Sequence, residues 1–391
     1  MAKFTIYRST DSGAPVLTGE VNKLVLLLDA CLVNGYTASV TSITRAGSIA
    51  TVTCPVPHNL LTGQSVLIAG AVETDYNGTF VVTVTSTTVF TYTVPGTPAT
   101  PATGTITYKR LAAGWTKPLT GTNKAAFLQG AGSNGFYLRV QDDAPGAGAA
   151  KEARMRGFET MSDVDTGTGD FPTVAQSAFG EVCRKSATAD ATARSWILVA
   201  DARTLYLFVK TGDNAVVHFA FAFGEFYSLL AGDNFRCMIA GRNTENSAVT
   251  TLDTLDLVSL PSAVTSFFFI TRGHSGTGGS VNAGRHGDRT KGAQLGYLAG
   301  NMAYTNPANG AFYVSRVWVH DSVTTPVNGL RGRMRGFWHW LHPIAGVADG
   351  DVLTGTGELA GKTFLVVKSG GAGGGGLSLY IIETSNTIES N

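Results

Sequence analysis

The chain has 391 residues, with 29 Lys and Arg against 28 Asp and Glu, and only 15% of it is charged, against about 25% in an ordinary globular chain. A net charge of +1 supplies no cationic field, which argues against non-specific nucleic-acid binding and against adhesion to anionic lipid. A hydrophobic fraction of 43%, with 20 Phe, 12 Tyr and 5 Trp, excludes wholesale disorder.

The start, Met1 to Arg8, reads as a strand and lacks the apolar segment of a signal peptide. A helix follows. Thr18 offers an N-cap hydroxyl, Val21, Leu24, Val25, Leu28 and Leu32 fall on one face, and Asn34-Gly35 supplies a stop. Leu26 and Leu27 add a second apolar row, so packing on two sides is expected. This longest apolar stretch is interrupted by Asn22, Lys23 and Asp29, and no run approaches the ~20 residues that cross a bilayer. A chain made in the cytoplasm, without membrane insertion, is expected.

Composition changes at Tyr36. From Ala38 to Lys109 the charged residues are Arg45, Glu73, Asp75 and Lys109, and Thr and Val dominate. Strands are predicted over Ser39–Arg45, Ile49–Cys54, Ser65–Ala69, Gly78–Ser86, Val89–Val94 and Gly104–Tyr108, separated by turn signals such as Ala46-Gly47-Ser48 and Tyr76-Asn77-Gly78. Phe80, Val82 and Val84 alternate with Val81, Thr83 and Thr85, the pattern of a strand buried on one face. Residues 38–109 therefore read as a small inserted β-sandwich of immunoglobulin-like type. Domains are inserted most readily through exposed loops when their termini lie close together.

Beyond Arg110 the spacing predicts strands at Phe136–Gln141, Ala153–Phe158, Trp196–Ala200, Leu205–Lys210, Ala215–Phe223, Phe235–Gly241, Val264–Thr271 and Gly310–His320. A last hairpin, Phe364–Lys368 with Leu377–Glu383, spans the glycine-rich tip Gly370–Gly376. The expected fold class is mainly β: an antiparallel sandwich or barrel body with one N-terminal helix. Residues 1–36 with 110–245 form a discontinuous body, and 246–391 a C-terminal β-rich domain.

Few patterns carry chemistry. Cys31, Cys54, Cys183 and Cys237 form no CxxC pair, so reduced structural thiols are expected. Asp163-Val164-Asp165-Thr166-Gly167-Thr168-Gly169-Asp170 invites a calcium reading, but the glycine and the closing Glu of an EF-hand are missing. Arg272-Gly273-His274-Ser275-Gly276-Thr277-Gly278-Gly279 with Arg285, His286, Arg289 and Lys291 is basic and glycine-rich, without the spacing of a phosphate loop. The densest mixture of basic and aromatic residues is Arg331, Arg333, Arg335, Trp338, His339 and Trp340. On a strand the three arginines share one face, opposite Met334. Such residues suit a protein interface or core packing first, a glycan contact second and single-stranded nucleic acid last. His339 and His342 alone make a weak metal signal. No nucleophile elbow is present, so no catalytic residue, cofactor or metal is expected and the chain reads as a non-enzyme.

Several stretches resemble virion structural proteins of tailed bacteriophages: Tyr7-Arg8-Ser9-Thr10-Asp11 with Pro15-Val16-Leu17-Thr18-Gly19, Leu28-Asp29-Ala30-Cys31-Leu32-Val33-Asn34-Gly35-Tyr36, Gly114-Trp115-Thr116-Lys117, Gly121-Thr122-Asn123-Lys124-Ala125, Phe136-Tyr137-Leu138-Arg139-Val140 and Asp163 to Gly169. The inserted segment, with Pro57-His58-Asn59-Leu60, Tyr76-Asn77-Gly78-Thr79-Phe80 and Thr91-Tyr92-Thr93-Val94, is similar to small β-modules of phage tail and capsid-surface proteins. The resemblance implies a non-enzymatic subunit of the tail, collar or capsid surface. It would be located in the virion and partnered by copies of itself and other virion proteins. The alternative is a particle-borne adhesin for a host-surface glycan.

Overall fold

The structure is a computed structural model that describes residues 4–143, 150–212, 218–241, 268–286, 314–321, 329–340, 346–369 and 378–385. It is mainly β with antiparallel pairing throughout the described strands, as the alternating patterns predict. The 245/246 boundary and the tip Gly370–Gly376 lie outside the described residues.

The largest sheet has thirteen described strands. Thr5–Arg8 leads into Trp196–Ala200, Thr204–Val209, Phe219–Glu225, Cys237–Ala240, Phe268–Ile270 and Val281–His286. It continues through Val314–Asp321, Gly329–Trp340, Ser378–Glu383, Thr363–Ser369 and Val352–Thr354, while Tyr227–Ser228 also pairs with Gly329–Trp340. The first strands are buried on both faces, which explains their unbroken apolar runs. By alternation, Tyr7, Leu198, Leu207, Phe221 and Ile239 enter one core. That core also takes Phe127, Leu138 and Met155 from a five-stranded sheet. Ile6, Val199, Tyr206, Ala222 and Met238 enter a second core, where the same sheet's later strands contribute Val319, Met334, Phe337 and Ile382. The sheet thus closes over itself on one face and carries a further layer on the other.

The helix comprises an α segment, Lys23–Leu28, and a π segment, Asp29–Asn34. Its start differs from the sequence reading. Thr18 donates to Glu20 rather than capping, and Asn22 at φ 65° precedes the first turn. The cap is remote: the Leu24 N–H donates to Asp142 Oδ2 at 2.8 Å. Leu27 is buried but Leu26 is 50% exposed, so the second apolar row is half used. Gly35 ends the helix as expected, at φ 69°, where a Cβ would lie 2.3 Å from the Arg110 carbonyl.

Residues 36–110 form two four-stranded sheets around a core of their own, including Ile43, Val52, Ile68, Phe90 and Tyr108. The run predicted as Gly78–Ser86 is two strands, Gly78–Val81 and Thr83–Val84, one in each sheet. The chain crosses between sheets at Val82, whose N–H donates to the Gln64 carbonyl.

Candidate functional site

The twelve-residue strand Gly329–Trp340 carries every residue singled out for contact. Alternation places Arg331, Arg333 and Arg335 opposite Met334, which enters the second core. Gly336, at φ 59°, then shifts the phase. Phe337 therefore joins Met334 in the second core, and Trp338 turns to a separate cluster with Phe364, Val366 and Ile381. The neighbouring strand marks the same irregularity: Arg316 pairs with Trp338 but Trp318 with Arg333, so two residues span against five.

Two of the arginines are spent inside the chain. Arg331 is 1% exposed. Its Nε and Nη2 donate to the two carboxylate oxygens of Asp233, both at 2.9 Å, and its Nη1 to the Arg272 carbonyl at 3.2 Å and Asp321 Oδ2 at 3.4 Å. Arg335 donates to both oxygens of Asp201, at 3.0 and 2.6 Å, and to Thr204 Oγ1 at 3.0 Å. Burial works against the Arg335 charge, yet the adjacent Asp201 carboxylate more than restores it and raises its pKa. For Asp233, burial pushes the carboxyl up. Hydrogen bonds from Arg331, Ser228 and the Phe235 N–H outweigh that and hold it below the usual range.

Arg333 is half-buried, with its guanidinium 5.2 Å from the Tyr227 ring. Trp338 is 8% exposed, flanked by the Arg316 guanidinium at 5.1 Å and the Lys362 ammonium at 5.9 Å. The side chains of His339 and Trp340 lie outside the described residues. Arg331, Arg335 and Trp338 are therefore buried within this chain. What opens outward is a cleft lined by Tyr227, Arg316, Arg333, Trp338 and Glu383, with a cavity volume of about 10 Å³. The enclosed part of the cleft has room for about one water.

Tyr227, Arg316 and Glu383 carry no sequence signal, because strand pairing brings them in from elsewhere. Asp201 lies in the turn between Trp196–Ala200 and Thr204–Val209, and nothing near Asp233 or Asp321 signals a buried partner.

The other motifs are also committed internally. Asp165 is held by Arg139 and Lys124, Asp170 by Arg156 at 3.0 Å, and Asp163 accepts the Asp165 N–H. Among the described residues no group of three or more His, Cys, Asp or Glu is placed to hold a metal. Arg272 of the glycine-rich loop grips Glu159 at 2.7 and 2.6 Å and lies 4.0 Å from the Phe235 ring. The side chains of Arg285 and His286, and all of Arg289 and Lys291, lie outside the described residues. All four cysteines are free and buried.

Among the described residues no helix is long and apolar enough to cross a membrane. No protein-family model matches the chain, and no curated protein matches it in sequence. Among solved structures it is similar to the phage phi92 endosialidase at 13% identity, over 91% of this chain and 53% of that one, with a TM-score of 0.18. The chain thus spans about half the length of that protein, and a likeness so slight carries neither fold nor function.

Proposed function

We propose that this chain is a non-enzymatic structural subunit of a bacteriophage virion, in the tail, collar or capsid surface. It works by packing against copies of itself and other virion proteins, with residues 36–110 projecting as a β module. The observation that carries the reading is the fate of the charged residues: the arginines that best suited chemistry are neutralised by Asp201, Asp233 and Asp321 within the fold. Arginines committed to carboxylates within the fold in this way suit scaffold work. The resemblance of its opening residues to phage virion proteins supplies the particle. Size analysis of the purified chain, with antibody labelling of intact particles, tests this. A defined oligomer and labelled particles are expected; a stable monomer that never joins particles overturns it.

A second reading, a glycan-binding adhesin, keeps one supporting observation: Arg333 and Tyr227 remain half-exposed at the mouth of the cleft. A glycan array run with wild type and Arg333→Ala separates the two. Binding lost in the variant favours the adhesin, and binding that survives it removes this cleft from consideration.

A further inference from the structure

The join between residues 36–110 and the rest of the chain is built around one guanidinium. Arg110 is 2% exposed and closes the last strand of the module. Its Nε lies 3.3 Å from Asp11 Oδ2, and its Nη1 donates to the Ile6 carbonyl at 3.1 Å. Within the module, Nη1 also donates to Gln64 Oε1 at 3.2 Å and Nη2 to the His58 carbonyl at 3.0 Å. Asp11 is further engaged by the Tyr36 hydroxyl at 2.6 Å and the Arg8 N–H at 2.9 Å. Burial works against the Arg110 charge, but Asp11 and the surrounding tyrosines keep it firmly protonated. This cation does not titrate in any accessible range.

The loop 58–64 is the module's other attachment. Asn59 donates to the Thr10 carbonyl at 2.9 Å, Leu61 donates its N–H to Gln64 Oε1 at 3.0 Å, and the Leu61 side chain packs on the body's second core. The turn holding Leu60 and Leu61 in place is formed by His58, whose Nδ1 accepts the Leu60 N–H at 2.9 Å. An imidazole that accepts at Nδ1 is neutral, with its proton on Nε2. The ring is 1% exposed and meets Phe90 edge-on at 5.4 Å.

We infer that His58 is a pH-sensitive latch: a proton taken up at Nδ1 sets two donors against each other, breaks the Leu60 bond and frees the loop 58–64. The Arg110 join to Asp11 and Ile6 stays in place, so the change is confined to this loop. The groups facing the ring are Arg110 from the last module strand, Asp11 from the turn after the first body strand, Phe90, and the Ser86 and Val89 main chain. Burial opposes the proton most and Arg110 adds to it, while Asp11 and the two main-chain groups favour it; the balance lowers the histidine below its ordinary value. The latch is therefore closed at neutral pH and opens only below the pH at which an ordinary histidine protonates.

Hydrogen exchange of the intact chain, corrected for intrinsic rates, tests this at about pH 7.5 and about pH 5. On acidification the segment 55–64 is expected to exchange faster, by up to about tenfold for each pH unit below the imidazole midpoint. The strand Ile49–Thr53 stays protected. His58→Asn, whose side-chain oxygen can accept the Leu60 N–H without titrating, abolishes the acceleration. NMR titration of the wild-type imidazole gives a second measurement that needs no variant, and its midpoint must coincide with that of the exchange. No acceleration, acceleration that persists in His58→Asn, a mismatch of midpoints, or equal loss of protection in Ile49–Thr53 would overturn the latch.

Discussion

Arg331 and Asp233 stand 98 residues apart in sequence and meet as a two-pronged pair, 2.9 Å on each prong, with both side chains essentially out of water. Two ions taken out of water gain little over an apolar pair, but removing one strands the other. Asp321 shares the same guanidinium, so loss of Arg331 uncovers two buried carboxylates. Arg331→Met is expected to cost about 3–5 kcal/mol, read from the urea midpoint at constant slope. A cost under about 1 kcal/mol would mean that the pair is solvated.

The same pair sets an acid limit. Asp233 sits below the usual carboxylate range in the fold: burial raises it, but hydrogen bonds from Arg331 and Ser228 prevail. A carboxylate depressed by folding contributes stability that is fully present above its unfolded value of about 3.9. That contribution is lost as pH falls through the folded value. Stability measured from about pH 5 downward should therefore fall less steeply in Asp233→Asn than in wild type. Parallel curves would remove Asp233 from the account of acid unfolding.

What the sequence made legible was local: alternation, turn residues and helical spacing. The Phe80, Val82, Val84 pattern and the stop at Gly35 needed no partner to be read. The remainder depends on groups that pairing delivers from afar. The Leu24 cap is Asp142, 118 residues away, so no inspection of Thr18 could find it. For the arginines of Gly329–Trp340 the sequence pattern cannot separate an interface from core packing, because their burial depends on Asp201 and Asp233, which lie in turns between other strands. Gly336 offered a signal, since a glycine inside a strand pattern often marks a bulge, and it is where Trp338 changes face.

Gly157 is fixed by a ring. A Cβ there would lie 2.2 Å from Phe171 Cζ, and the two residues exchange main-chain hydrogen bonds of 2.8 and 2.9 Å. Phe171 cannot retreat freely, because it stacks on Phe223 at 5.9 Å and meets Phe136 edge-on at 6.0 Å. Gly157→Ala is expected to cost about 1–3 kcal/mol by overpacking. Thermal unfolding checks it, and an unchanged melting temperature would mean the ring moves without penalty.

Burial raises the thiols of Cys31, Cys183 and Cys237 well above their ordinary value and pushes Cys54 up to about 11. Since the thiolate is the reactive form, all four should resist alkylation at about pH 8 in the native chain. They should react together once urea unfolds it. Mass spectrometry after a timed pulse of iodoacetamide reads this directly. A single cysteine modified in the native state would identify a local opening around it.

Residues 36–110 own the core that holds them, from Ile43 and Val52 on one sheet to Ile68 and Tyr108 on the other. Excised, the module keeps that core and loses its contacts through Arg110, Asn59 and Leu61. A core of this size rarely supplies more than about 3–5 kcal/mol, but two sheets closing on one core make a single cooperative unit, so the isolated module should unfold in one urea transition at a low midpoint. The body should suffer more from the excision. Asp11, 5% exposed, loses both Arg110 and the Tyr36 hydroxyl and keeps only the Arg8 N–H, a costly state for a carboxylate still shielded from water. Asp11→Asn in the excised body, which removes the stranded charge, should recover part of that stability. If the excised body is as stable as the full chain, the Arg110 cluster contributes nothing to the body's cohesion.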